Sequence, residues 1–385
     1  MSQVSGTMID EICLELKKNY PDRLLIYSQK KNKTEQLLNN SNIQFVDGPT
    51  YNRSSNLTRI TSWLHYVFKS TIVIFQSKKN DLFLLTTNPP ILLIWFYILN
   101  FFLKRNYVIY IYDIYPDVLV KERIIKENGI SAKIWKFFQK KSFLQASKIL
   151  VLNNSMFEKI KLDYGLKNEH LHIVSPWVDT KFMRPIAKEV NPLISQYNKG
   201  NKKIILYSGN MGYGHEINTI VKAAKILKDY SSIKFLFFGE GKKEKYVRNF
   251  LSKNRLKNLD LYPLQPIENL PYTHAMSDIC LVGLRGNFSE LMIPSKVFSY
   301  MASGKPIIAI CKRKSELGKV IINYNLGFCV EPGNADMLAE KILSLLGDQD
   351  LMAKISVASR LIAKKFYDKQ ICLKNIKKIF DKIDN

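Results

Sequence analysis

Three loops in the second half of the chain combine glycines with cations. YSGNMGYGHEINTIVKAA, Tyr207 to Ala224, reads as a strand, a glycine-rich turn and a helix. Gly209, Gly212 and Gly214 permit close backbone approach to a ligand, and N–H groups in such a turn can cradle phosphate. His215 beside the turn adds a donor. FFGEGKKEK, Phe237 to Lys245, repeats the pattern with Gly239 and, at its tip, Glu240. GLRGNFSELMIPSK, Gly283 to Lys296, follows the next strand and supplies Arg285, Glu290 and Lys296. Three strand ends thus bring glycines and cations toward one rim, the environment that a diphosphate requires. In MIPSKVFSYMASGKPIIAI, Pro294 suits the first turn of a short helix, Gly304 its left-handed stop, and Ile307 to Ile310 a buried strand. A lysine in that first turn, Lys296, opposes the helix dipole unless an anion lies between them.

The first half has candidates of its own. Gly6 precedes a helix with capping-box spacing from Thr7 to Asp10. TTNPP, Thr86 to Pro90, and IYDIYPD, Ile111 to Asp117, end strands; Asp113 closes an apolar run as either a turn cap or a carboxylate facing ligand. His65, on an aromatic helix face, is expected in the core. No metal site is expected: the one Asp-x-Asp, Asp348 and Asp350, reads as a helix cap, and no cofactor is implied. Neither a G-x-S-x-G elbow nor a Walker loop is present, which argues against hydrolase and ATPase chemistry.

These loops need strands to hold them. Strand-like and helix-like segments alternate throughout: RLLIYSQ, DLFLLTT, YVIYIYD and SKILVLN, then KKIILYSG, IKFLFFGEG, LDLYPL, DICLVGL and KPIIAI. Such alternation predicts an α/β chain whose parallel sheets are covered by helices on both faces. With 385 residues, two domains are expected. They are placed at residues 1–186 and 203–360, with a polar linker at 187–202 and a C-terminal helix, 361–385, packing back toward the first domain. Twin doubly wound domains bind ligands at the carboxyl ends of their strands.

The net charge of +25 fits nucleic acid or an anionic membrane surface, and a Lys-, Asn- and Ile-rich composition contributes to it. No nucleic-acid-binding motif accompanies it. The most apolar window, Ile91 to Leu103, is shorter than the ~20 residues a spanning helix needs. It is either a core helix or one lying in a membrane interface, ahead of a basic edge, Lys104 to Tyr107. Five scattered cysteines and a polar N-terminus fit a reducing compartment without a secretory leader.

The segments YSGNMGYGHE, FFGEG, SDICLVGLRG and IPSKVFSYMASGKPIIA, with HIVSPWVDTKFMRP before them, resemble the retaining glycosyltransferases of family four, which have the GT-B fold. IYDIYPDVLV and TTNPP resemble the subgroup of bacterial surface-polysaccharide assembly. The resemblance implies a hexosyltransferase-type enzyme of capsule, O-antigen or exopolysaccharide synthesis. It implies a UDP-sugar donor, a lipid-linked saccharide acceptor, and a place at the cytoplasmic face of the inner membrane. Gly209, Asn210 and Gly212 would meet the diphosphate and Arg285 with Lys296 would neutralise it, while His215, Gly239, Glu240, Pro294 and Ser295 line the donor side. Asp113 is the candidate catalytic carboxylate; Gly6, Thr87 and Asn88 are the acceptor-side candidates. Two departures stand out. Ser299 replaces the glutamate that grips ribose in the family, with Glu290 the nearest substitute. Only MSQVS precedes Gly6, where a first strand is expected and so counted as missing. A non-catalytic nucleotide-sugar-binding subunit and a GT-B-type sugar-nucleotide epimerase are the alternatives.

Overall fold

The computed structural model of the chain describes residues 1–3, 7–20, 24–29, 43–52, 55–198, 200–286 and 292–383. Gly6 and Glu290 lie outside the described residues. The chain divides into two compact units, Met1–Ser175 with Leu373–Asn385, and Pro176–Cys372.

In the first unit, β1 (Leu24–Ser28) pairs in parallel with β2 (Ile43–Asp47). A second parallel sheet runs β3 (Leu82–Thr86), β4 (Asn106–Ile111), β5 (Lys148–Val151), β6 (Leu171–Ile173). The continuous apolar run of β4 is explained by its central position: Tyr107 to Ile111 are fully buried. The first strand, expected to be missing, is replaced in part by Met1–Gln3. These residues bond to β1 through Ser2 N–H to Tyr27 O and Gln29 N–H to Gln3 O, both 3.2 Å. On the other side, the Met1 ammonium donates to Leu84 O, Thr86 N–H to Met1 O and Gln3 N–H to Asn88 O. Met1–Gln3 thus lie between β1 and β3, bonded to both sides. His65 is exposed, not in the core: it lies on the outer side of the Asn56–Phe75 helix, whose inner side carries Trp63, Tyr66 and Val67.

Among the described residues, the second unit has six parallel strands in the order β12-β11-β10-β7-β8-β9. They are β7 (Lys203–Ser208), β8 (Ile233–Phe238), β9 (Leu259–Tyr262), β10 (Ile279–Gly283), β11 (Ile307–Ile310) and β12 (Gly327–Val330). Alternate residues enter two apolar cores: Ile204, Leu206, Leu236 and Phe238 on one face, Ile205, Tyr207, Phe235 and Phe237 on the other. From β7 the sheet grows in opposite directions, to β8 on one side and β10 on the other. That reversal is where doubly wound sheets bind ligands, at the strands' carboxyl ends.

Residues 187–202 are not a linker; they belong to the second unit. Leu193 enters its core, Lys188 Nζ reaches Asp278 at 2.8 Å and Asn191 Nδ2 donates to Tyr272 O at 2.8 Å. The polar composition there reflects surface turns. The single helix expected at 361–385 is two, Gln349–Phe366 and Lys369–Phe380, broken before Asp368. From Leu373 onward the chain is part of the first unit, where Tyr20 Oη donates to Asp381 at 2.6 Å.

Candidate active site

The turn after β7 is built by mutual close approach. Gly209 has φ +118°, a conformation that favours glycine, and its N–H donates to Phe238 O at 2.8 Å. Gly239 faces it so closely that a Cβ there would lie 2.2 Å from Gly209 O. Gly241, φ +134°, leaves room for Asn210 and Met211, whose N–H donates to Glu240 O at 2.8 Å. At the end of β10 a Cβ on Gly283 would lie 2.4 Å from Glu216 O, and Arg285 N–H donates to Gly214 O at 2.9 Å. The described parts of the three glycine loops thus meet over β8, β7 and β10.

The Lys296–Ala302 helix supplies the fourth wall, and Gly304, φ +63°, ends it. Tyr300 from this helix clasps β7, its hydroxyl accepting Ser208 N–H at 3.0 Å and facing Ser208 O at 3.3 Å. One turn earlier Lys296 points into the site. Its Nζ sits 3.8 Å from the centre of the Tyr207 ring and against Gly209, where a Cβ would approach it to 3.1 Å. This ammonium is buried and has no hydrogen-bond partner. A buried unpaired cation is costly, and burial pushes its pKa down from 10.5 to about 7.

His215 records the same field. Burial, then the charges of Lys296 and Lys243, push its pKa down to about 4, against a Gly283 backbone bond that raises it. It is therefore neutral at pH 7, and its Nδ1 is buried without a partner. Lys243, which sequence reasoning passed over, is buried with its Nζ donating to His215 O at 2.6 Å. Its pKa is lowered by burial and by the charge of Arg285, against the pull of Glu216. Lys296, Lys243 and Arg285 thus share one neighbourhood around His215. Nothing in KKEK marks the second lysine as the buried one.

The remaining donor-side candidates are arranged as follows. Arg285, Glu240, Asn210 and Ser295 expose their side chains, Pro294 is buried, and Gly212 and Ser299 are half-buried. In the first unit Asp113 is exposed at the end of β4, its N–H held by Thr87 Oγ1 at 3.3 Å, with Tyr112 N–H on the same oxygen at 3.1 Å. Thr87 is buried, so it shapes the Asp113 turn. Asn88 sits beside it with a buried Oδ1 that has no partner. Asp348 caps the next helix through Leu351 N–H at 2.9 Å, as its position predicts.

Two doubly wound units of this kind have the GT-B fold. The solved structure of HepE from Anabaena, in complex with UDP and glucose, aligns with a TM-score of 0.72 at 16% identity, over 99% of this chain and 97% of that one. Residues 192–361 match the model of the family "Glycosyl transferases group 1". Among curated proteins, the probable glycosyltransferase WbjE of Pseudomonas aeruginosa is 23% identical over 84% of this chain and 80% of its own length. The putative colanic acid biosynthesis glycosyl transferase WcaI of Escherichia coli is 26% identical over 64% of this chain and 60% of its own.

Proposed function

We propose that the protein is a retaining glycosyltransferase of bacterial surface-polysaccharide synthesis. It moves a hexose from a UDP-sugar to a lipid-linked saccharide at the cytoplasmic face of the inner membrane. The observation that carries this reading is the Lys296 ammonium, buried and unpaired beside the open Gly209 turn. A diphosphate at that turn would receive the backbone N–H groups and the charges of Lys296, Arg285 and Lys243. UDP leaves with extra negative charge, so cations fixed in a dry site favour the transition state over the ground state. His215, neutral at pH 7, brings hydrogen-bonding nitrogens without adding repulsion between cations. Gly239, Glu240, Pro294, Ser295 and Ser299 complete the donor side; Ser299 offers the ribose a hydroxyl and no charge. Asp113 and the free Oδ1 of Asn88 serve the acceptor. Attack and departure on one face of the sugar, within a single ion pair, retain the anomeric configuration.

The test is incubation of the full chain with a panel of UDP-sugars and a lipid extract from a polysaccharide-producing strain. Transfer to lipid is expected, with the product's anomeric proton coupling matching that of the donor. Tight UDP binding without transfer makes the chain a binding subunit, and interconversion without acceptor makes it an epimerase. An inverted product overturns retention.

A further inference from the structure

A surface helix ordinarily buries one apolar face and presents a polar one. The Asn56–Phe75 helix is apolar on both. Trp63, Tyr66, Val67 and Ile74 are in the core. On the outside Leu57, Ile60, Leu64, Phe68, Ile72 and Phe75 recur at steps of three and four, with 42–73% of each exposed. The Ile130–Gln145 helix repeats the arrangement: Ile130, Ile134, Phe137 and Leu144 are 51–78% exposed while Phe143 is buried. Between them the Leu92–Leu103 helix exposes Phe101 and Phe102 at 65% and 77%. Most of the rest of that helix is packed: Leu92, Leu93 and Phe96 are buried, and Trp95 is held by a 2.9 Å bond from Nε1 to Thr71. The apolar window singled out from sequence is thus largely core, and the larger exposed stripes lie on its neighbours.

The three helices form one surface. Trp95 bonds across the first pair, and Tyr97 meets Phe138 with ring centres 6.4 Å apart across the second. In the four-stranded sheet the steps from β3 to β4 and from β4 to β5 run in one direction, so right-handed crossovers set the Leu92–Leu103 and Ile130–Gln145 helices on the same side, and the Trp95–Thr71 bond joins the Asn56–Phe75 helix to them. A groove of about 280 Å³ lies between Leu64, Phe68, Ile91 and Ile94. The segment that carries this surface is basic: from Ser55 to Gln145 there are thirteen Lys and Arg against five Asp and Glu. Lys69, Lys104, Lys133, Lys140 and Lys141 are exposed on it or beside it.

We propose that this face docks flat on an anionic lipid bilayer, its apolar side chains entering the interface and its lysines meeting headgroup phosphates. Charge decides between a bilayer and a second copy of the chain: self-association would set lysine against lysine. The inference rests on the proposed lipid-linked acceptor and supplies the surface that brings the protein to it. Among the described residues no helix is long and apolar enough to cross a membrane.

The experiment is co-sedimentation of the full chain with vesicles of phosphatidylcholine alone or mixed with phosphatidylglycerol. Two variants are compared, Phe68→Asp with Ile72→Asp and Ile134→Asp with Phe137→Asp, and each is titrated with UDP. Because these side chains are already exposed, both variants are expected to fold and to bind UDP unchanged. The expected result is binding to the anionic vesicles, weakened at least about tenfold by each pair. Wild type left in the supernatant, or variants that bind equally, overturns the proposal while UDP binding leaves the donor reading standing. Loss of a concentration-dependent dimer in the variants, without vesicle binding by wild type, assigns the face to self-association and also overturns it. Vesicle binding without UDP binding sustains this surface and sinks the donor site.

Discussion

Lys296→Met should make the empty protein more stable and its nucleotide binding worse. The lysine pKa falls from 10.5 to about 7 through burial. At one pKa unit per 1.36 kcal/mol, the charged side chain destabilises the fold by about 5 kcal/mol below pH 7. The Tyr207 ring, 3.8 Å away, returns about 1–2 kcal/mol. Methionine keeps the stem and loses the charge, leaving a net gain of about 3 kcal/mol. In a unit of this size that raises the melting temperature by roughly 6–12 °C. The pH dependence has a definite sign. The folded pKa is lowered, so between pH 7 and 10.5 the unfolded chain binds more protons. Wild-type stability therefore rises with pH through that window, and the advantage of the methionine variant shrinks over it. UDP, in contrast, restores the partner that the ammonium lacks, so its affinity should fall about 10- to 100-fold in the variant. Scanning calorimetry at pH 6, 8 and 10, with UDP titration by isothermal calorimetry, reads each quantity. A variant less stable at pH 6, a gain that persists at pH 10, or unchanged UDP affinity would refute the reasoning.

Two further substitutions probe the scaffold. Gly239→Ala places a methyl 2.2 Å from Gly209 O, backbone against backbone, so the two loops must separate; a loss of about 3 kcal/mol in urea unfolding, together with loss of UDP binding, is expected. Thr87→Val leaves Tyr112 and Asp113 without their shared acceptor, and about 1–3 kcal/mol of stability should be lost in the same assay, with sugar transfer reduced and UDP affinity unchanged.

The donor half was the more legible part of the sequence because glycine reports backbone geometry directly. Gly209, Gly239, Gly241 and Gly304 each stand where a side chain would collide or the backbone turns left-handed. The strands were readable for a related reason, since buried parallel strands are continuous apolar runs. What remained hidden depends on neighbours distant in sequence. Lys242 and Lys243 look alike in the chain, yet only the second is buried beside His215. Ile91 to Leu103 outranks Leu57 to Phe75 in hydrophobicity, but hydrophobicity does not tell which face is already covered. Thr87 reads from sequence as an acceptor-side residue, and only the structure shows that it also braces the Asp113 turn. The boundary near residue 187 was misplaced because polar composition marks turns and linkers equally.

The three residues Met1–Gln3 carry a consequence for how the first unit holds together. They share backbone hydrogen bonds with Tyr27 of β1 and with Gln29 just beyond it, and with Leu84 and Thr86 of β3 and Asn88 beyond that, and they lie between a two-stranded and a four-stranded sheet. Among the described residues, the β1–β2 ribbon meets the larger sheet through these three residues. Gln3 also donates from Nε2 to Ser62 O at 2.9 Å, so one side chain ties this seam to the Asn56–Phe75 helix that carries the exposed apolar stripe.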